Sequence, residues 1–148
     1  MSISIIPEAK DAEMRDVRVG IIGCGGIANG KHLPSLSKLP NVKLTAFCDL
    51  VEERAEKAKE DYGAEDARVY TDYRELLKRE DIEVIHVLTP NASHCELSVA
   101  ALHAGKHVMC EKPMATTYEE AQKMVAASNT AGQYLPVGYQ TRLQQGHQ

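Results

Sequence analysis

The sequence predicts an α/β protein, a doubly wound and mostly parallel sheet with helices on both faces. Three observations point there. Short β-branched or apolar runs alternate almost strictly with longer segments of helical character along the 148 residues. The short runs hold few polar positions, as strands buried on both faces do. The first run also opens straight into a glycine-rich turn followed by a helix-forming segment.

The elements follow in order. Residues 17–23, VRVGIIG, form the first strand, and residues 28–39, ANGKHLPSLSKL, a helix with Pro34 near its first turns. Residues 42–49, VKLTAFCD, are the second strand, and residues 51–63 a charged helix closed by Gly63. A short strand and a helix share residues 67–81, with Thr71 or Asp72 as the helix cap. Residues 83–90, EVIHVLTP, form the fourth strand. The helix over 92–105 has Leu97, Ala100, Ala101 and Ala104 at apolar positions and ends at Gly105. Residues 106–113, KHVMCEKP, are the fifth strand. A helix capped by Thr116 or Thr117 and closed by Gly132 leads to a sixth strand over 134–140, YLPVGYQ. One domain therefore spans 17–139, after a polar tail over 1–16 and before a segment, 140–148, without a core-forming pattern.

Composition narrows the function classes. Hydrophobic content of 43% and charged content of 26% are those of a globular domain. A net charge of −4 argues against general affinity for nucleic acid or an anionic membrane. No apolar run approaches the roughly 20 residues of a membrane helix, and residues 1–16 lack the pattern of a signal peptide. The four cysteines, Cys24, Cys48, Cys95 and Cys110, form no CxxC pair, so reduced thiols and a cytoplasmic location are expected. His94, His103 and His107 stand near Cys95 and Cys110, but their spacing fits no metal-ligand pattern, and no metal is expected.

Residues 23–28, GCGGIA, fit G-x-G-x-x-A with a strand before and a helix after, the context in which this turn cradles a dinucleotide. Gly23 allows the tight turn. Gly25 lets the backbone approach a pyrophosphate, and Ala28 keeps the helix close to the sheet. Gly26 and Ile27 lie where the helix N-terminus offers N–H groups and partial positive charge to phosphates. Asp49 ends the second strand, 21 residues after Ala28, where its carboxylate can accept both hydroxyls of an adenosine ribose and repel a 2′-phosphate. Leu50 and Val51 follow it rather than an arginine, and Arg54 reads as a solvated helix charge. NAD is therefore favoured over NADP.

The glycine turn, TPNASH over 89–94 and EKP over 111–113 together resemble the N-terminal half of the glucose–fructose oxidoreductase, inositol dehydrogenase and rhizopine-catabolism family (Gfo/Idh/MocA). The resemblance runs from Val17 to Arg142. It implies that residues 23–28 hold the pyrophosphate and that Thr89, Pro90, Asn91 and His94 pack against the cofactor, although His94 can equally be read as a surface histidine. It implies that Lys112 sits beside the nicotinamide and the reacting carbon, and that Glu111 bonds the cofactor or orients the lysine. Pro113 is a place where a cis peptide can occur, which would fix the direction of Lys112. Gln140 and Arg142 belong to a crossover that approaches the nicotinamide end.

The implied activity is that of an NAD-dependent oxidoreductase working on a CH–OH group of a sugar, inositol or related polyol. In the family, a second domain, mostly antiparallel sheet, carries the substrate pocket. The sequence to Gln148 passes only just beyond the crossover, so the expectation is cofactor binding without appreciable turnover, with self-association through the face the second domain would cover. A non-catalytic dinucleotide-binding regulatory module is the alternative, and EKP weighs against it, since a sensor has no use for a lysine at the hydride site.

Overall fold

The structure, a computed structural model, describes residues 15–139. Five strands form one parallel sheet in the order β3-β2-β1-β4-β5. They are β1 (Val17–Ile22), β2 (Val42–Cys48), β3 (Arg68–Tyr70), β4 (Val84–Val87) and β5 (His107–Cys110). The helices are α1 (Leu33–Leu36), entered through a π-turn over Ala28–His32, then α2 (Glu52–Tyr62), α3 (Tyr73–Leu77), α4 (His94–His103) and α5 (Tyr118–Ala131). The doubly wound class read from the alternation is the one observed.

The sheet separates two cores. On one face Val19, Ile21, Leu44 and Phe47 meet Leu33 of α1 and Ala55 and Ala58 of α2. On the other Ile22, Ile85, Val87 and Val108 meet Leu76 of α3, Leu97, Ala101 and Leu102 of α4, and Met124 and Ala127 of α5. Strands covered on both faces must be apolar throughout, which is why their sequences show no polar alternation.

Local chemistry sets the helix ends. Asp72 caps α3 by accepting from the Arg74 N–H, and Thr117 caps α5 by accepting from the Glu120 N–H. The Glu120 carboxylate in turn accepts from the Thr116 N–H at 3.0 Å, one residue before the cap. Gly132 closes α5 at φ +65°. Gly63 closes α2 with φ −70°, outside the left-handed region, and its role is steric, since a Cβ there would lie 2.6 Å from the Lys59 carbonyl oxygen.

Two expected elements differ. The helix over 28–39 begins as a π-turn, with the Leu33 N–H bonding the Ala28 carbonyl five residues back. Pro34 has no N–H to give Gly30, and its ring crowds that carbonyl, so the turn widens. The expected sixth strand, 134–140, runs alongside β5 but among the described residues shares a single bridge with it, Cys110 with Val137. The N–H groups of Val108 and Cys110 donate to the carbonyls of Tyr134 and Pro136, and the Gly138 N–H donates to Cys110. The missing rung is the one Pro136 would donate to Val108, and proline has no N–H.

Candidate functional site

In a 3-2-1-4-5 sheet the strand order reverses between β1 and β4, and a crevice opens at their carboxyl ends. A cleft of about 650 Å³ lies there, walled by Gly23, Gly25, Gly26 and Ile27 from the first turn, Asp49, Leu50, Val51 and Arg54 after β2, and Thr89 and Pro90 after β4.

The glycines differ in what requires them. Gly23 has φ +94°, and a Cβ on it would lie 2.8 Å from the Leu88 carbonyl, so the fold itself demands glycine. Gly25 and Gly26 have no such demand, because a Cβ on either would meet no protein atom within 4 Å. Side chains there would stand in the cleft. Asn29, which motif reading missed, shapes the turn by donating from Nδ2 to the carbonyls of Cys24 at 2.7 Å and Gly25 at 2.9 Å. That turns the carbonyls toward the helix and leaves the helix N-terminus to the cleft. Ala28 is fully buried between helix and sheet.

Asp49 ties the two halves of this wall together. Its Oδ2 accepts from the Cys24 N–H and its Oδ1 from the Val51 N–H, both at 2.9 Å. The carboxylate thus reaches the cleft already oriented, with further lone pairs to offer. Arg54, read from sequence as a solvated charge, is exposed but lines the same cleft. Cys24 and Cys48 lie beneath, their thiols pushed up to about 12 by burial and by the Asp49 charge, so neither serves as a thiolate nucleophile.

The other motifs meet beyond the cleft. Thr89 and Pro90 line it, whereas Asn91, His94, Glu111 and Lys112 are not among its wall residues. His94 is 1% exposed, so it is not a surface histidine. Its Nε2 faces the Thr89 carbonyl and its Nδ1 the Pro113 carbonyl, each at 2.8 Å, which brings TPN and EKP side by side. A neutral ring carries one N–H and satisfies one carbonyl at a time. Glu111 is buried, Lys112 is exposed at the sheet end, and the Lys112–Pro113 peptide is cis. Gln140 and Arg142 lie outside the described residues.

Among the described residues, no group of three or more His, Cys, Asp or Glu side chains could hold a metal ion, and no helix is long and apolar enough to cross a membrane.

A parallel sheet, a glycine turn open to the crevice and an acidic residue at the end of β2 define a dinucleotide-binding domain of the Rossmann type. Residues 17–139 match GFO_IDH_MocA, the oxidoreductase family with an NAD-binding Rossmann fold, and the chain belongs to that family. Inositol 2-dehydrogenase of Salmonella typhimurium is 35% identical over 133 residues, covering 88% of this chain and 39% of the relative. Among solved structures, KijD10, a 3-ketoreductase of Actinomadura kijaniata in complex with NADP and TDP-benzene, superposes with a TM-score of 0.83 at 32% identity, over 90% of this chain and 40% of that one. The WlbA dehydrogenase of Bordetella pertussis, in complex with NADH and UDP-GlcNAcA, gives 0.80 at 30% identity, over 87% and 36%. The chain thus spans about two fifths of the length of these relatives. Its pyridine-nucleotide cofactor follows from the family, and the glycine turn fits one: Gly25 and Gly26 leave room that side chains would fill.

Proposed function

We propose that this chain forms the cofactor half of an NAD-dependent oxidoreductase acting on a CH–OH group of a sugar, inositol or related polyol. The observation that carries the reading is the position of Lys112. It is exposed at the carboxyl end of β5, and His94 holds its EKP segment against the Thr89 segment that walls the cleft. When bound, the nicotinamide supplies the hydride chemistry. The chain's residues do the rest. Gly25 and Gly26 leave room for the pyrophosphate, and the following helix end gives it N–H donors. Asp49 accepts the adenosine ribose hydroxyls. Thr89, Pro90 and Asn91 pack against the cofactor, with His94 supporting them from behind. The Lys112 ammonium donates to the substrate oxygen and offsets the negative charge that develops on it.

NAD rather than NADP is the proposed cofactor, because the Asp49 carboxylate repels a 2′-phosphate. Arg54 opposes that preference from the same wall, and the solved relatives were found with NADP in one case and NADH in the other. A polyol or sugar substrate is supported by the inositol dehydrogenase relative and by the UDP-GlcNAcA bound in the WlbA structure. The free cysteines fit a cytoplasmic setting. Calorimetric titration of this chain with NAD and NADP tests the cofactor, and tighter NADP binding would overturn the preference. Turnover is tested on a chain extended to the length of its relatives, against a polyol panel, following reduced nicotinamide. Activity that survives Lys112→Ala would remove the lysine from the mechanism.

A further inference from the structure

His32 lies in the π-turn that follows the glycines, and Glu111 immediately follows β5, 79 residues away in sequence. Both side chains are buried, at 9% and 6% exposure. The His32 Nε2–H donates to Glu111 Oε1 at 2.6 Å, and the Lys112 backbone N–H donates to Glu111 Oε2 at 2.9 Å. One carboxylate therefore fastens the helix behind the glycine turn to the backbone of the lysine. Burial pushes the Glu111 carboxyl up, but the hydrogen bonds from His32 and the Lys112 amide, with the charges of both residues, outweigh it and hold the group below its usual range. The surroundings close around the pair. His86 of β4 meets the His32 ring edge-on, with centroids 5.8 Å apart. Gly138 packs so near that a Cβ there would stand 3.4 Å from Glu111 Oε1.

A buried, hydrogen-bonded pair of this kind is a poor way to add stability, since apolar residues of the same volume do as well or better. What it supplies is direction. We propose that His32 is a positioning residue for Lys112: its bond to one oxygen of Glu111 turns the other oxygen onto the Lys112 amide and fixes the backbone from which the lysine side chain leaves the sheet. The inference rests on the reading of Lys112 as the substrate-facing lysine. It also implies that the helix behind the pyrophosphate turn and the lysine keep a fixed spacing, because one carboxylate joins them.

Amide hydrogen exchange at Lys112, followed by NMR on this chain, tests the strap. Glutamine places a donor where His32 Nε2 stands; asparagine is too short, and methionine fills the space without donating. His32→Asn and His32→Met are expected to speed Lys112 exchange at least about tenfold while amides of β1 and β4 keep their protection, and His32→Gln to stay within about threefold of the unmutated chain. If His32→Asn does not fold, His32→Met carries the same expectation. Unchanged Lys112 protection in the non-donating variants, or equal loss in the glutamine variant, would overturn the proposal. An NAD titration on the same samples separates the two readings. No saturable binding to the unmutated chain counts against the cofactor site, while the exchange result still decides the role of His32.

Discussion

The two ends of the crevice are built on opposite plans. Around Gly25 and Asp49, backbone faces the cleft and two glycines stand where the fold would accept side chains. Around Glu111, side chains are locked to one another and to backbone: His32 to Glu111, Glu111 to the Lys112 amide, and His94 between Thr89 and Pro113. The first end is shaped for something larger than a side chain to lie against it. The second holds one exposed lysine on a rigid base. A bound dinucleotide needs room along its phosphates, whereas a group acting on a substrate oxygen needs a fixed origin.

Substitutions that distinguish fold from cleft sharpen this contrast most. Gly23→Ala is expected to destabilise the domain by about 3 kcal/mol in denaturant unfolding, through the left-handed backbone and the Leu88 carbonyl clash. Gly25→Val should leave unfolding unchanged and weaken NAD binding roughly a hundredfold or more in calorimetry, because its side chain would fill the position proposed for the pyrophosphate. If both variants behaved alike, the two glycines would share one role and the contrast would collapse.

At the locked end, pH is the probe. Burial, then the charge of His32, brings the His86 imidazole down to about 4. Its folded pKa lies below the ordinary value of about 6.5, so the unfolded chain binds the extra proton first. Stability is then full above about pH 6.5 and falls as pH drops toward 4. Between pH 7 and pH 5 the loss is about 2 kcal/mol in urea unfolding, and His86→Phe should remove most of that slope. An unaltered slope would place the acid sensitivity elsewhere.

Smaller effects test the chemistry of each end. Asp49→Asn should reduce the preference for NAD over NADP by about tenfold, while one side-chain oxygen still accepts from the turn. Lys112→Ala in this chain should change NAD affinity by less than about twofold, since the proposed role of the ammonium lies with the substrate oxygen. A large loss of affinity would make the lysine a cofactor ligand instead.

Much of the open end was legible in the sequence. A glycine turn between strand and helix, with an acidic residue at the end of the next strand, is a local pattern whose chemistry depends on backbone placement. The locked end was legible only as motifs. EKP marked Lys112, but the partner of Glu111 lies 79 residues earlier, and no spacing rule connects His32 to it. His94 shows the same gap: its place in TPNASH could be read, while its burial between two carbonyls depends on the packing of α4 against the EKP segment. Pro34 and Pro136 were visible, and each carried the reason for a departure from regular structure, the widened turn and the missing rung. The apolar patterns around both prolines are those of regular elements, and the missing N–H acts only where a partner carbonyl stands opposite it.

Addition of NAD to the isotopically labelled chain tests the central claim most directly. Saturable amide shifts centred on the glycine turn, the segment from Asp49 to Arg54, and Thr89 and Asn91 are the predicted result. Absence of saturable shifts there, or shifts centred instead on the groove between α4 and α5, would contradict the assignment of the cleft.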